Sequence, residues 1–190
     1  MVTRMITVQL APYRLVWLWI GELPAPVFEP GATVEHTLPV TGRAVQSTCA
    51  AAELSIIYGP RADYGMLGAT FAPVDGTQLT IQIATSVDDT SDRLLWQHRQ
   101  SSSRATYPFG FIGLPTEYSG GVLQGVLNAP ELERLGGGSL TFTCAAHHPV
   151  DSNIRAFRQL ARIVVRLLQA DAQTLSHAEL TEMVHERLQS

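Results

Sequence analysis

The sequence changes character near Pro115, and this change constrains the fold more than any other feature. Before it, short apolar segments rich in β-branched residues alternate with Pro and Gly, which is typical of strands joined by turns. After it, apolar residues recur every three or four positions, which is the spacing of one helix face. The sequence therefore predicts an α+β fold in which most strands come first and the helices follow.

Several segments of the first half are predicted to be strands. Two precede a stretch, residues 23–31, in which three prolines prevent any regular element. The predicted strands are residues 5–10, 14–20, 34–40, 54–58, 66–71 and 79–84. The last two flank a Pro-Val-Asp-Gly turn and should form a hairpin. The polar residues 88–103 are interpreted as an exposed loop or a mobile arm, with Trp96 as an anchor to the body.

The second half alternates helices with one strand. A first helix follows Pro115, a strand is expected at residues 140–146, and a long helix begins at Asp151 or Ser152, either of which is a good N-cap. Ser176 and Glu179 have the spacing of a capping box, which predicts a final short helix.

Composition limits the possible functions. A chain of 190 residues with 45% hydrophobic and 16% charged residues is expected to form one globular domain, residues 1–190. All 13 basic residues are Arg, and without Lys neither a Walker phosphate loop nor Schiff-base chemistry is available. No GTP binding is therefore expected, and no cofactor is predicted. The net charge of −4 argues against general polyanion binding but leaves room for a local basic patch.

The chain carries no predicted export or membrane signal. Its first residues lack the basic, apolar and small-residue order of a signal peptide, and the apolar run at residues 15–20 is shorter than the about 20 residues that cross a bilayer. Cys49 and Cys144 lie far apart in the sequence. A cytoplasmic protein with reduced thiols and no membrane partner is expected.

Two motifs in the second half point to a family. Pro115-x-Glu117-Tyr118 is followed by Val122 and Gly125, and Val150-Asp151-Ser152 is followed by Ala156-Phe157. In this order they resemble the P-x-E-Y-x-x-x-V-x-x-G and V-D-S-x-x-x-A-F motifs of the fourth domain of translation elongation factor G. Asp63-Tyr64-Gly65 is similar to a Q-Y-G sequence just upstream in that family.

The resemblance implies a fold and a class of function. The expected fold is that of ribosomal protein S5 domain 2, a four-stranded sheet with helices on one face. The resemblance covers about residues 42–169; residues 1–41 are then an N-terminal strand extension and residues 170–190 a C-terminal helix. The GTP-binding, second, third and fifth domains of the family are missing, and the loop before Asp63 differs from the family pattern. The implied role is binding to the ribosome or RNA, without catalysis.

One group of residues is a candidate binding surface. Arg155, Arg158, Arg162 and Arg166 recur at spacings of three, four and four, which aligns them along one side of the long helix. We name these four residues the arginine face. It could bind phosphates or an acidic partner. The alternative is a solvated helix face whose arginines pair with Glu179, Glu182 or Glu186 of the final helix.

A second group could carry chemistry. Cys144, His147 and His148 are candidate metal ligands, with Cys49 as a fourth, although their spacing matches no compact zinc motif. The same residues could form a Cys–His nucleophile pair, helped by the acidic loop with Asp88, Asp89 and Asp92. Strict alternation places Cys144 with Leu140 and Phe142 on the core face of its strand, where a thiol is inert.

Three hypotheses follow from the sequence. The first is a non-catalytic binding or assembly protein associated with the ribosome or RNA. The second is a small-molecule enzyme or ligand binder that uses Cys144, His147 and His148. The third is a structural homo-oligomer, with the tryptophan-containing residues 15–20 near its interface.

Overall fold

The computed structural model describes residues 4–41, 46–86, 95–96, 110–169 and 175–189. These residues form nine strands, three α-helices, α1 to α3, and one 3₁₀ turn, and eight of the strands precede α1, which confirms the α+β class. The strands, β1 to β9 in chain order, are Arg4–Ala11, Arg14–Ile20, Ala32–Pro39, Thr48–Tyr58, Arg61–Pro73, Gln78–Thr85, Leu95–Trp96, Gly110–Ile112 and Gly138–His147. The helices are Thr116–Leu127, Ile154–Leu168 and His177–Gln189, and the 3₁₀ turn is Leu132–Leu135.

The predicted four-stranded sheet is wrong, because the N-terminal strands join it directly. In the described residues seven strands follow the order β1-β2-β4-β5-β9-β6-β3, and β8 and β7 continue from the end of β9. β6 and β9 are parallel, whereas the other neighbours in that order are antiparallel. The strands β1 and β2 extend one edge, and β3 extends the other. A central set of four strands, β4, β5, β9 and β6, therefore lies inside a larger sheet.

The proline-rich stretch connects β2 to β3, which lie on opposite sides of the central strands. Residues 21–31 cross the face of the sheet opposite the helices, where Leu23 packs on the central strands. Along this path the backbone N–H groups of Gly21, Phe28 and Gly31 donate hydrogen bonds to strand carbonyl oxygens. The acceptors are Cys49, Thr143 and Thr85, in that order. The prolines keep the segment irregular, as predicted, and these hydrogen bonds fix it against the sheet.

The main core lies between one face of the sheet and the helices. Alternate residues of the central strands, among them Leu54, Leu67, Ile81 and Phe142, belong to one buried cluster with side chains of all three α-helices. Helices on one face of the sheet agree with the expectation from the sequence. The opposite face carries smaller buried groups, in which Leu23 of the crossing segment packs beside Cys144.

The predicted hairpin of residues 66–71 and 79–84 is wrong, because β9 lies between β5 and β6. Several element boundaries also differ from the prediction, and two of them involve β4 and α2. β4 begins at Thr48 rather than residue 54. The prediction missed its first residues because they include three alanines, and alanine has little preference for strands. The N-cap of α2 is Asn153, whose side chain accepts a hydrogen bond from the N–H of Ala156 at 2.9 Å. Ser152 instead donates its hydroxyl hydrogen to the carbonyl oxygen of Tyr64 at 2.8 Å, and this bond ties the loop to β5.

The capping box of α3 is confirmed. The N–H of Ser176 donates to a carboxylate oxygen of Glu179 at 2.8 Å, and the N–H of Glu179 donates to the Ser176 hydroxyl at 3.3 Å. The two residues thus satisfy each other's backbone donors at the helix start.

The helices α1 and α2 approach closely because glycines line their contact. A Cβ added at Gly121 would lie 2.6 Å from the carbonyl oxygen of Ile154, and one at Gly125 would overlap the carbonyl oxygen of Arg158. Gly120, one residue earlier on α1, has open space at the same position. The backbones of the two helices could not pack this closely with larger residues at Gly121 and Gly125.

This contact yields a paired prediction. Gly125→Ala should lower the free energy of unfolding by about 3 kcal/mol or more, because the added methyl group must push α1 away from α2. Gly120→Ala should raise it by about 0.5–1 kcal/mol, since alanine favours the helix and meets no neighbour. Urea unfolding followed by circular dichroism measures both. Equal effects of the two substitutions would contradict the close contact.

Candidate functional site

The arginine face lies on the outer side of α2. Arg155 is exposed, and Arg158, Arg162 and Arg166 are half-buried. The residues between them, such as Phe157, Leu160 and Val164, are fully buried in the core. The four guanidinium-bearing side chains therefore share one side of the helix, as their spacing predicts.

A buried glutamate from another segment reaches this face. Glu131, just after α1, is 7% exposed, and its Oε1 lies 3.7 Å from Nε of Arg166 and 2.5 Å from Nη2 of Arg187 on α3. The backbone oxygen of Glu131 also accepts a hydrogen bond from the side chain of Gln169. For Arg166, the partner is thus Glu131 and not one of the three predicted glutamates of α3.

Glu179 has a different role from the predicted ion pair. Its hydrogen bonds with Ser176, followed by a smaller contribution from Arg166, lower the pKa of its carboxyl group. The charge of Glu179 thus mainly serves the start of α3, where the helix dipole favours it.

Three arginines of the face have no ion pair in the described part of the chain: Arg155, Arg158 and Arg162. Burial lowers the pKa of the Arg162 guanidinium, and the nearby cations Arg187 and Arg158 lower it further, while Glu131 acts in the opposite direction. The direction of the shift means that the surroundings disfavour the charged form. Since arginine remains protonated in proteins, Arg162 keeps its positive charge in surroundings that destabilise it.

Cys144 is buried, as predicted, but on the opposite face of the sheet. Gly68 and Ala69 of β5 pair with Cys144 and Phe142, so Thr143 is an extra residue in β9. This bulge breaks the alternation and turns Cys144 away from Leu140 and Phe142, toward Met66 and Ala146. Burial, and to a smaller extent Glu53 and Cys49, raise the pKa of the Cys144 thiol to about 12.

The two histidines serve other structural contacts. Nδ1 of His147 lies 3.0 Å from the carbonyl oxygen of Gly113, and its ring packs near Phe111 and Tyr118. Nδ1 of His148 accepts hydrogen bonds from the N–H groups of Val150 and Asp151, both at 3.3 Å. Cys144, His147 and His148 are therefore not brought together.

The described residues hold no group of three or more His, Cys, Asp and Glu side chains that could bind a metal ion. The other parts of the enzyme hypothesis, Asp88, Asp89 and Asp92, lie outside the described residues, as do the side chain of Trp96 and residues 42–45.

Sequence reasoning missed a buried acid on the second face of the sheet. The hydroxyl of Tyr64 donates to Oε1 of Glu53 at 2.9 Å, and Glu53 is 2% exposed. Burial, then the Glu53 charge and this hydrogen bond, raise the pKa of Tyr64 well above its usual value. The signal in the sequence was Glu53 itself, a carboxylate directly after three alanines of a strand, where a buried position is expected.

The tryptophans of residues 15–20 are not exposed on the surface. Trp17 and Trp19 are 3% and 5% exposed, and their strand β2 lies between β1 and β4. The predicted interface at this segment therefore loses its basis, because the apolar area is already covered within the chain. The oligomeric state itself stays a prediction.

No protein-family model, curated protein or solved structure matches the chain. The likeness to the fourth domain of elongation factor G stays a prediction from the sequence motifs. Among the described helices, none combines the length and the apolar character that a membrane crossing requires.

The raised pKa of Cys144 gives a test of the nucleophile hypothesis. At about pH 8 the Cys49→Ala protein should not react with a thiol reagent while folded, because the remaining thiol is buried and protonated. Cys144→Ala should react at Cys49, which is half-buried and has a pKa raised by burial and Glu22. Absorbance of released thionitrobenzoate measures both, and both proteins should show one thiol in denaturant. Fast labelling of folded Cys49→Ala would support Cys144 as a nucleophile.

Proposed function

We propose that this protein is a non-catalytic binding protein whose arginine face contacts the phosphates of RNA. The observation that carries the proposal is the set of three arginines, Arg155, Arg158 and Arg162, without an ion pair in the described residues. Exposed or half-buried guanidinium groups on one helix face provide the charge that phosphate binding needs. The dispersal of Cys144, His147 and His148 favours this role over the small-molecule enzyme.

The size of the face suits a chain of phosphates. From Arg155 to Arg166 the helix advances about 16 Å, at 1.5 Å per residue, which exceeds the dimensions of one phosphate group. A guanidinium group can donate two parallel hydrogen bonds to a phosphate, so the row can follow a nucleic-acid backbone. Contacts of this kind give affinity without sequence specificity.

The arrangement of elements supports the predicted fold family. The central strands β4, β5, β9 and β6 form a four-stranded unit with α1 and α2 on one face. Pro115 directly precedes α1, and Val150-Asp151-Ser152 lies just before the cap of α2. The Gly of the first motif, Gly125, packs on α2. We therefore propose an association with the ribosome or with structured RNA, by analogy of fold.

The salt dependence of RNA binding tests this proposal. With three phosphate contacts, the logarithm of the affinity for duplex RNA should fall with the logarithm of salt concentration at a slope of about −3. Replacing Arg155 and Arg158 together by Gln should reduce this slope by about two, because two contacts are lost while the helix keeps good formers. Fluorescence anisotropy with a labelled duplex measures the slope.

A matched control separates the face from the net charge. Arg14 and Arg61 are exposed beside the β1–β2 and β4–β5 turns and do not belong to the arginine face. The double substitution Arg14→Gln and Arg61→Gln changes the total charge equally and should leave the slope within about half a unit. Equal losses in both double variants, or no binding at low salt, would refute the proposed surface.

A further inference from the structure

We infer that Arg158, Arg162 and Arg187 form a site for a single phosphate group, and that Glu131 limits its affinity. This inference rests on the proposed function, because it names a particular phosphate contact within the same region. It adds a residue of α3, Arg187, and a competing carboxylate to the arginine face.

The charges around Glu131 are unbalanced. Arg166 and Arg187 pair with its carboxylate, and Arg162 lies close enough to Arg187 and Arg158 to be affected by their charges. Arg166, Arg187 and Arg162 thus interact with one buried anion, and Arg158 adds a fourth positive charge beside Arg162. Glu179 contributes only at the Arg166 end. A bound phosphate, with a charge of about −1.5 to −2, would offset most of this excess.

Unused hydrogen-bond donors lie in the same cluster. Nε of Arg162 and Nε of Arg187 are buried, and neither has an acceptor among the residues that the structure describes. A buried donor without an acceptor destabilises the fold, and more so when it is charged. Arg162 lies on α2 and Arg187 on α3, so the unpaired donors come from two separate helices. A ligand with several acceptor oxygens would satisfy these donors.

Two exposed acids on the same segments form no ion pair with the cluster. Glu133 in the 3₁₀ turn and Glu182 on α3 are exposed and form no ion pair within the described chain. A purely structural cluster would gain stability from a second carboxylate at Arg162. Positive charges that lack acidic partners in this way are typical of binding sites rather than of structural contacts.

Phosphate fits this arrangement better than a carboxylate ligand does. It has three or four acceptor oxygens in a compact group, so guanidinium groups from two helices can each donate to it. The phosphate could be free in solution or could be the end of a nucleic-acid chain. Both sources present the same chemistry to the three arginines.

Isothermal titration with inorganic phosphate at constant ionic strength tests the site. The wild-type protein should bind phosphate, and Arg162→Gln should weaken binding about tenfold or more, because charged hydrogen bonds contribute about 1.5–3 kcal/mol each. Arg162→Lys should retain part of the affinity, since it keeps the charge and loses the fork. Arg61→Gln is the control and should bind like wild type. Neither Arg162 substitution removes an ion pair of Glu131.

Glu131→Gln tests the role of the carboxylate. It should tighten phosphate binding several-fold, because a competing anion is removed. Since Arg187 would lose its partner, thermal unfolding must accompany this measurement, and only a folded variant is compared. Unchanged or weaker binding by folded Glu131→Gln would overturn the role of Glu131.

Two further outcomes are decisive. Absence of phosphate binding to the wild type, or equal binding by Arg162→Gln, would overturn the site, while the RNA slope measured with Arg155 and Arg158 could still support the proposed function. Titrations with short RNA carrying a 5′-phosphate or a 5′-hydroxyl distinguish the sources. A preference for the phosphorylated end that is lost in Arg162→Gln supports a chain end, and equal binding of both RNAs supports free phosphate.

Discussion

The candidate site depends on the close contact between α1 and α2. Gly121 and Gly125 let the two helix backbones approach, and this places the end of α1 beside the outer side of α2. Glu131 lies four residues after the end of α1, and its carboxylate pairs with Arg166 of α2 and Arg187 of α3. Gly125, the glycine of the motif in Sequence analysis, therefore also contributes to the electrostatics of this surface.

The sequence predicted elements well where local pattern and tertiary environment agree. The capping box of Ser176 and Glu179, the irregular proline-rich crossing and the shared side of the arginines depend on neighbouring residues, and the structure has all of them. The first half of β4 was missed because alanines have little strand preference, and only burial inside the sheet makes them extended.

The site was only half predictable for a related reason. The four arginines follow from helical spacing, but Glu131 and Arg187 come from segments whose proximity depends on tertiary packing. The orientation of Cys144 depends on one extra residue, Thr143, and a bulge leaves no clear mark in the sequence. Long-range pairing and register thus account for both the missed carboxylate and the wrong face assigned to the thiol.

The crossing segment ties the order of folding to the order of synthesis. Phe28 and Pro26 hydrogen-bond to Thr143 and Ala145, residues that leave the ribosome long after the N-terminal strands have been made. β3 must likewise wait for β6 before it has a neighbour. The first strands can form a hairpin early, but the segment behind them has no docking place until β9 exists. Such non-local closure slows folding, and the nascent chain would carry an unfinished sheet edge during most of its translation.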